Sequence, residues 1–279
     1  MNKLNDKIAA LMPGTICVLG IPLDKNSSFR RGPALAPMRI MEQFHSDSTN
    51  LCAENGVDVG LVKGWCELGS MTLPEGGREA FAAIERMVAK LLGQGCRVIT
   101  LGGDHSITYP IVRAHSNVYD KLDILHFDAH PDLYDELEGN RYSHATPFAR
   151  IMEEGAVNRL VQVGIRTMTP HLRDQAEKFN VEVMEMKDRH GETKINLEGD
   201  IYLTLDLDCL DPAFAPGVSH HEPGGLTTRE LLHIIHGIKG RIVGADIVEL
   251  NPDRDWMGMT AMVAAKLTKE ILAKMLHRR

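Results

Sequence analysis

Long apolar runs are missing from this chain. No stretch reaches the ~18 residues that a membrane helix needs. The opening residues (MNKLNDKIAALMPG) carry neither the apolar core nor the cleavage site of a secretion signal. Aromatics are scarce, at 5% of 279 residues, and a basic excess is absent: 31 Lys and Arg face 38 Asp and Glu, a formal charge of −7. Without a basic stripe, the chain argues against nucleic acid as a main partner. A cationic or neutral small substrate suits the charge balance better. Cysteines are few and odd in number (Cys17, Cys52, Cys66, Cys96, Cys209), with no C-x-x-C pair. This excludes a disulfide framework and a zinc ribbon, and points to reduced thiols in the cytoplasm. Repeats and low-complexity segments are also absent, and Pro and Gly are scattered rather than gathered into a linker. The remainder, 43% apolar and 25% charged, is a globular composition. The chain is long enough to bury its core without staples. A single domain over residues 1–279 is expected.

What is present is an alternation. Short β-branched runs at Thr15–Gly20, Val98–Leu101, Leu122–Phe127, Leu160–Val163, Ile201–Leu207 and Ile242–Val248 do not alternate apolar with polar. Strands buried on both faces have this character, which favours a parallel sheet covered by helices. Amphipathic stretches lie between them. Arg78–Leu92 sets Phe81, Ile84, Val88 and Leu91 on one stripe and stops at Gly93 and Gly95. Ala145–Glu154, Thr227–Ile238 and Met259–Leu276 read as further helices. Thr227 is placed to cap its helix with Glu230 three residues on. The predicted class is α/β, and its chemistry belongs at the carboxyl ends of the strands.

Three of those ends are dense in ligands: LGGDHS with Asp104 and His105, HFDAHPD with Asp128, His130 and Asp132, and TLDLDCLDP with Asp206, Asp208 and Asp211. Residues two apart in extended backbone point to one side, so Asp128, His130 and Asp132 can converge, as can Asp206 and Asp208. Acids at apolar strand ends are costly unless neutralised, and few Lys or Arg lie nearby in sequence. Four Asp (Asp128, Asp132, Asp206, Asp208) and two His (His105, His130) match two divalent cations. Oxygen-rich ligation with some imidazole suits Mn²⁺ better than Ca²⁺ or a structural zinc. Two such ions sharing a water generate a nucleophile near neutral pH, the signature of a metal-dependent hydrolase. Asp104 and Asp211 read as turn or supporting residues, and Cys209 as packing.

These segments resemble the ureohydrolase family of arginases and agmatinases. The resemblance rests on GGDHS at 102–106, DAHPD at 128–132, SHATPF at 143–148, DLDCLDPAFAPG at 206–217, EPGGLT at 222–227 and ADIVELNP at 245–252. IPLDKNSSFRRGPALAP at 21–37 and MTAMVAAKL at 259–267 extend it over nearly the whole chain. GPALAP, YSHA and PAFAPGVSH look most like plant-type arginases. The resemblance implies a three-layer α/β/α sandwich around a mainly parallel sheet, a pair of Mn²⁺ ions, and a homo-oligomer, trimer or hexamer. It implies one ion held by His105, Asp128, Asp132 and Asp206, and the other by His130, Asp128, Asp206 and Asp208. Asp132 becomes the proton acceptor, Glu249 the guanidinium-binding carboxylate and His144 the proton shuttle.

The implied reaction is hydrolysis of a guanidino group to urea and an amine. L-Arginine is the expected substrate, with agmatine and another guanidino acid as alternatives. Reading of an α-carboxylate is the less legible part: Leu133 and Tyr134 stand where arginases carry an Asn after the last Asp of D-x-H-x-D. Asn140, Arg141 and Ser143 are candidate replacements. Ser219-His220-His221 replaces the GTP run common in agmatinases, and His220 or His221 is a candidate to face substrate. A catalytically silent binding homologue should have lost ligands, yet all six positions and Glu249 are intact. A dinuclear phosphoesterase requires phosphate clamps that GGDH lacks.

Overall fold

The computed structural model describes residues 3–189, 191 and 195–277. Eight strands form one parallel sheet: β1 (Ile16–Ile21), β2 (Trp65–Ser70), β3 (Arg97–Gly102), β4 (Leu122–Phe127), β5 (Arg159–Ile165), β6 (Glu182–Glu185), β7 (Asp200–Asp206) and β8 (Arg241–Val248). Their spatial order is β2-β1-β3-β8-β7-β4-β5-β6. The helices are α1 (Lys3–Ala9), α2 (Ala36–Phe44), α3 (Gly77–Gly93), α4 (Thr108–Ser116), α5 (Pro147–Glu153), α6 (Pro170–Lys178), α7 (Thr228–Gly237) and α8 (Met259–Leu276). None of the described helices is long and apolar enough to cross a membrane.

The sheet separates two apolar cores, giving the α/β/α sandwich. On one side Ile40 and Phe44 of α2, Leu231 and Ile235 of α7, and Leu267 and Ile271 of α8 pack on Leu203 and Leu205 of β7. On the other, the α3 stripe Phe81, Ile84, Val88 and Leu91 meets Ile111 of α4, Phe148 of α5 and Tyr202 of β7. Adjacent residues of β7 thus serve opposite layers, as pleating requires. The capping box of α7 forms as expected: Thr227 Oγ1 accepts from Glu230 N, and Glu230 Oε2 accepts from Thr227 N at 2.8 Å.

β2 and β6 are absent from the sequence reading. Both are sheet edges, only partly buried, and an edge strand exposed to water has no need of the apolar run that marks a central one. The inner strands β3, β8, β7 and β4 are immediate neighbours. Their carboxyl ends therefore bring Asp104-His105, Glu249, Asp206-Asp208 and Asp128-His130-Asp132 together, although 145 positions separate the first and last of these residues in sequence.

Candidate metal centre and active site

β3 ends at Gly102, and the chain turns immediately into a short 3-10 helix (His105–Ile107). Asp104 caps that turn, accepting from Ser106 N and Oγ on one oxygen and from Asn26 N on the other. This is the supporting role expected of it, and it fixes where His105 points. Asp211 likewise serves a turn, accepting from Ala213 N and Gly224 N, and Cys209 is wholly buried.

The Nδ1 atom of His105 lies 3.1 Å from Asp128 Oδ2, 3.0 Å from Asp132 Oδ2 and 3.4 Å from Asp206 Oδ2. It nevertheless has no hydrogen-bond partner. The other ring nitrogen explains why. Nε2 is 2.9 Å from Thr204 Oγ1, and that hydroxyl donates to Asp246 Oδ1 at 2.7 Å. Asp246 is locked in turn by Tyr202 and Thr108 hydroxyls at 2.7 and 2.9 Å. Thr204 must accept from His105, so the proton sits on Nε2 and the Nδ1 lone pair faces the carboxylates. A lone pair aimed at three acid oxygens is repulsive by itself and correct for a shared cation.

A second corner repeats the arrangement. His130 Nδ1 is 3.0 Å from Asp208 Oδ2 and 3.3 Å from Asp128 Oδ1. Ligand atoms of Asp128, His130 and Asp208 come within 4.8 Å of one another. Asp128, Asp132, Asp206 and Asp208 are all buried, and among the described residues no Lys or Arg pairs with their carboxylates. Burial, then the charges of Asp208 and Asp128, push Asp206 well above the carboxylate range. Asp132 rises to about 6 through burial and Asp128. Asp128 goes the other way, because the adjoining imidazoles of His105, His126 and His130 outweigh its burial. The donor set, mostly oxygen with two imidazoles facing in, fits a binuclear divalent-metal site.

His126 was missed by the sequence reading. Its Nε2 is 2.8 Å from Asp128 Oδ2, and its Nδ1 is 3.0 Å from the Gln162 amide nitrogen. Gln162 donates, so His126 is neutral and gives its Nε2 proton to Asp128. Burial holds its pKa down at about 4 despite that carboxylate. The signal was visible as the extra His two residues before Asp128 on the same side of β4.

Beside the metal cluster is a cavity of about 270 Å³ walled by His130, Asp132, His144, His220 and Glu249. Glu249 follows β8 in a left-handed conformation (φ 66°), and Asp132 has φ 50°. Two non-glycine residues held there are strained positions that cluster at functional sites. Glu249 Oε1 accepts from His105 N at 2.9 Å and from His144 Nδ1 at 2.8 Å, whereas the buried Oε2 has no partner. His144 Nε2 faces Ser28, 2.8 Å from its hydroxyl and 3.2 Å from its amide nitrogen. The charged ring donates to the hydroxyl and the neutral ring accepts from the amide, so both states have a partner. Burial opposes the charge, but Glu249 outweighs it and raises His144 to about 9.

His220 also lines this cavity, 5.3 Å from the His144 ring and 5.7 Å from Phe29. Burial and His144 lower its pKa to about 4, leaving it neutral. His221 turns away, to Pro216 O and Arg254. Tyr134 lines the cavity, while Leu133 is buried in the core. Asn140 and Ser143, expected to face substrate, are not among the residues lining this cavity. Asn140 lines a separate cavity, because its side-chain oxygen accepts from Tyr142 N and its amide reaches Asn26. Ser143 is buried, accepting from Ala145 N and facing Asn26 O. Arg141 is exposed and paired with Glu153.

A parallel α/β sandwich with a cluster of acids and imidazoles across four central strand ends defines a metal-dependent hydrolase type of architecture. The chain belongs to the arginase family, whose sequence profile it matches over residues 14–273. It is 48% identical over 274 residues to "Arginase 1, mitochondrial" of Oryza sativa, covering 92% of this chain and 81% of that protein. It is 47% identical over 292 residues to "Arginase 1, mitochondrial" of Arabidopsis thaliana, covering 98% and 85%. The solved arginase from Medicago truncatula superposes with a TM-score of 0.88 at 42% identity, covering 98% of this chain and 92% of that one. These names overturn the cytoplasmic expectation, since the plant relatives are called mitochondrial. Free thiols indicate a reducing compartment without singling out the cytosol.

Proposed function

We propose that this chain is an arginase, hydrolysing the guanidino group of L-arginine to give L-ornithine and urea. The observation that carries the reading is the unpartnered, buried Oε2 of Glu249 in a cavity bordered by the metal-ligand cluster. An anionic oxygen left free in a buried site calls for a cationic partner, and a planar guanidinium supplies paired N–H donors to a carboxylate. The arginase names of relatives 47–48% identical over most of the chain support arginine as the substrate.

Two Mn²⁺ ions are the proposed cofactors: His105, Asp128, Asp132 and Asp206 would hold one, His130, Asp128, Asp206 and Asp208 the other, with Asp128 and Asp206 shared. When bound, the ions supply Lewis acidity and an activated water. Glu249 orients the guanidinium and turns its central carbon toward the cluster. Asp132 would take a proton from water and deliver it to the departing amine. His144 carries a proton between this cavity and solvent by way of Ser28, having a partner in each protonation state. The neutral ring of His220 covers the substrate stem. Assembly into trimers or hexamers is proposed from the resemblance and is read by sedimentation.

The test is urea release from L-arginine, agmatine and 4-guanidinobutyrate with Mn²⁺ present. Preference for arginine supports the assignment. Preference for agmatine replaces it with an agmatinase, and negligible release from all three removes both. Glu249→Gln should abolish release while Mn²⁺ still binds.

A further inference from the structure

A second cavity shares no lining residue with the first. It has a volume of about 410 Å³, within the range of small-molecule sites. One side is a corner of three rings. Phe81 meets Tyr142 edge-on at 5.8 Å, Phe81 and Tyr109 are 6.1 Å apart, and Tyr109 and Tyr142 are 6.0 Å apart. Arg78, Glu85 and Arg113 supply the charged part of the lining. Arg113 lies 5.5 Å over the Tyr109 ring and pairs with Glu85 and Glu154. Arg78 has no hydrogen-bond or ion-pair partner among the described residues. An aromatic corner sharing a cavity with a guanidinium that has no ion-pair partner selects a ligand with a ring and an anion.

We propose that this cavity is a non-catalytic binding site for a small aromatic carboxylate. Its ring packs into the Phe81–Tyr109–Tyr142 corner and its carboxylate meets Arg78. The site is not isolated from the first. Asn26 forms part of its wall, and the same residue donates its backbone N–H to Asp104 and its side-chain amide to Ser106, each at 2.9 Å. The Asn26 carbonyl accepts from His144 N at 3.2 Å. Tyr142, another wall residue, precedes His144 by two positions. A ligand that repositions Asn26 or Tyr142 therefore acts on the histidine beside Glu249. This coupling rests on the active-site reading above; the binding does not.

Isothermal titration of the metal-loaded protein with 3-phenylpropionate and with its uncharged amide tests the binding. The acid should bind about tenfold more tightly than the amide, and Arg78→Ala should remove that preference. Ala82 also lines the cavity, and Ala82→Trp fills it and should abolish binding of both. No heat at millimolar acid, or binding unchanged in both variants, overturns the site; Arg78→Ala decides if Ala82→Trp does not fold. If neither compound binds and both variants shift the sedimentation coefficient, the cavity is a contact between copies and the proposal falls. The coupling is read by repeating the titration with saturating L-ornithine. Affinities that change reciprocally support it, and an unchanged affinity at both sites removes it. Absent urea release with intact 3-phenylpropionate binding sinks only the proposed reaction.

Discussion

His144 Nδ1 and Glu249 Oε1 are 2.8 Å apart, joining the end of β8 to the loop before α5 across 105 residues of sequence. Each sets the other's charge. Burial works against both ions, but Glu249 lifts the histidine to about 9 and His144 holds the glutamate below its usual range. Glu249→Gln removes the partner and leaves the burial. The His144 pKa should then fall by about one to three units, read by ¹⁵N chemical shifts across a pH titration. A pKa unchanged in that variant would show that the contact does not govern the ring.

With no cation bound, burial and the neighbouring Asp208 and Asp128 push Asp206 well above the usual carboxylate range, which favours its neutral form. Asp206→Asn keeps that position neutral and should leave the melting temperature of chelator-treated protein close to that of the wild type. The same substitution should abolish the stabilisation expected of Mn²⁺ in the wild type. Thermal melts with and without metal separate the two effects.

His126 hydrogen-bonds to Asp128 and packs edge-on to the His105 ring at 5.0 Å, and Gln162 fixes which of its nitrogens carries the proton. His126→Phe should preserve the fold and weaken Mn²⁺ binding about 10–100-fold, measured by electron paramagnetic resonance of the free ion. Gln162→Leu should weaken it less, because the imidazole remains. Wild-type affinity in both would leave the hydrogen bond without a role in metal binding.

His115 predicts an acid sensitivity remote from the metals. It is wholly buried, 4.9 Å from the Tyr202 ring, and burial lowers its pKa to about 4 from 6.5. Between those values the unfolded chain binds a proton that the folded one refuses. Stability is therefore full above about pH 6.5 and is lost as pH falls toward 4, by up to about 1.4 kcal/mol per unit. His115→Leu should flatten that slope in urea denaturation at pH 7, 6 and 5, with chelator present throughout.

The sequence was most legible where burial is complete. Leu122–Phe127 and Met259–Leu276 have the bounds read from their patterns, because wholly buried strands and long helices leave little choice of residue. β2 and β6 were illegible for the opposite reason. Metal-ligand candidates were legible because i, i+2 spacing in extended chain is a geometric statement. Asn140 was not, because a loop residue's direction depends on a long-range partner, here Asn26. His126 and Asp246 were passed over because their partners, Gln162 and Thr204, lie 36 and 42 positions away on other strands.

β8 occupies the centre of the sheet, between β3 and β7, yet it is the last strand made. Until residue 248 has emerged from the ribosome, the earlier strands can assemble only as two slabs with an open seam. The residue immediately after the keystone strand is Glu249. Glu249 thus joins the site in the same event that closes the sheet, whereas β4 and β7, paired with each other, carry five of the six metal-ligand candidates before it arrives.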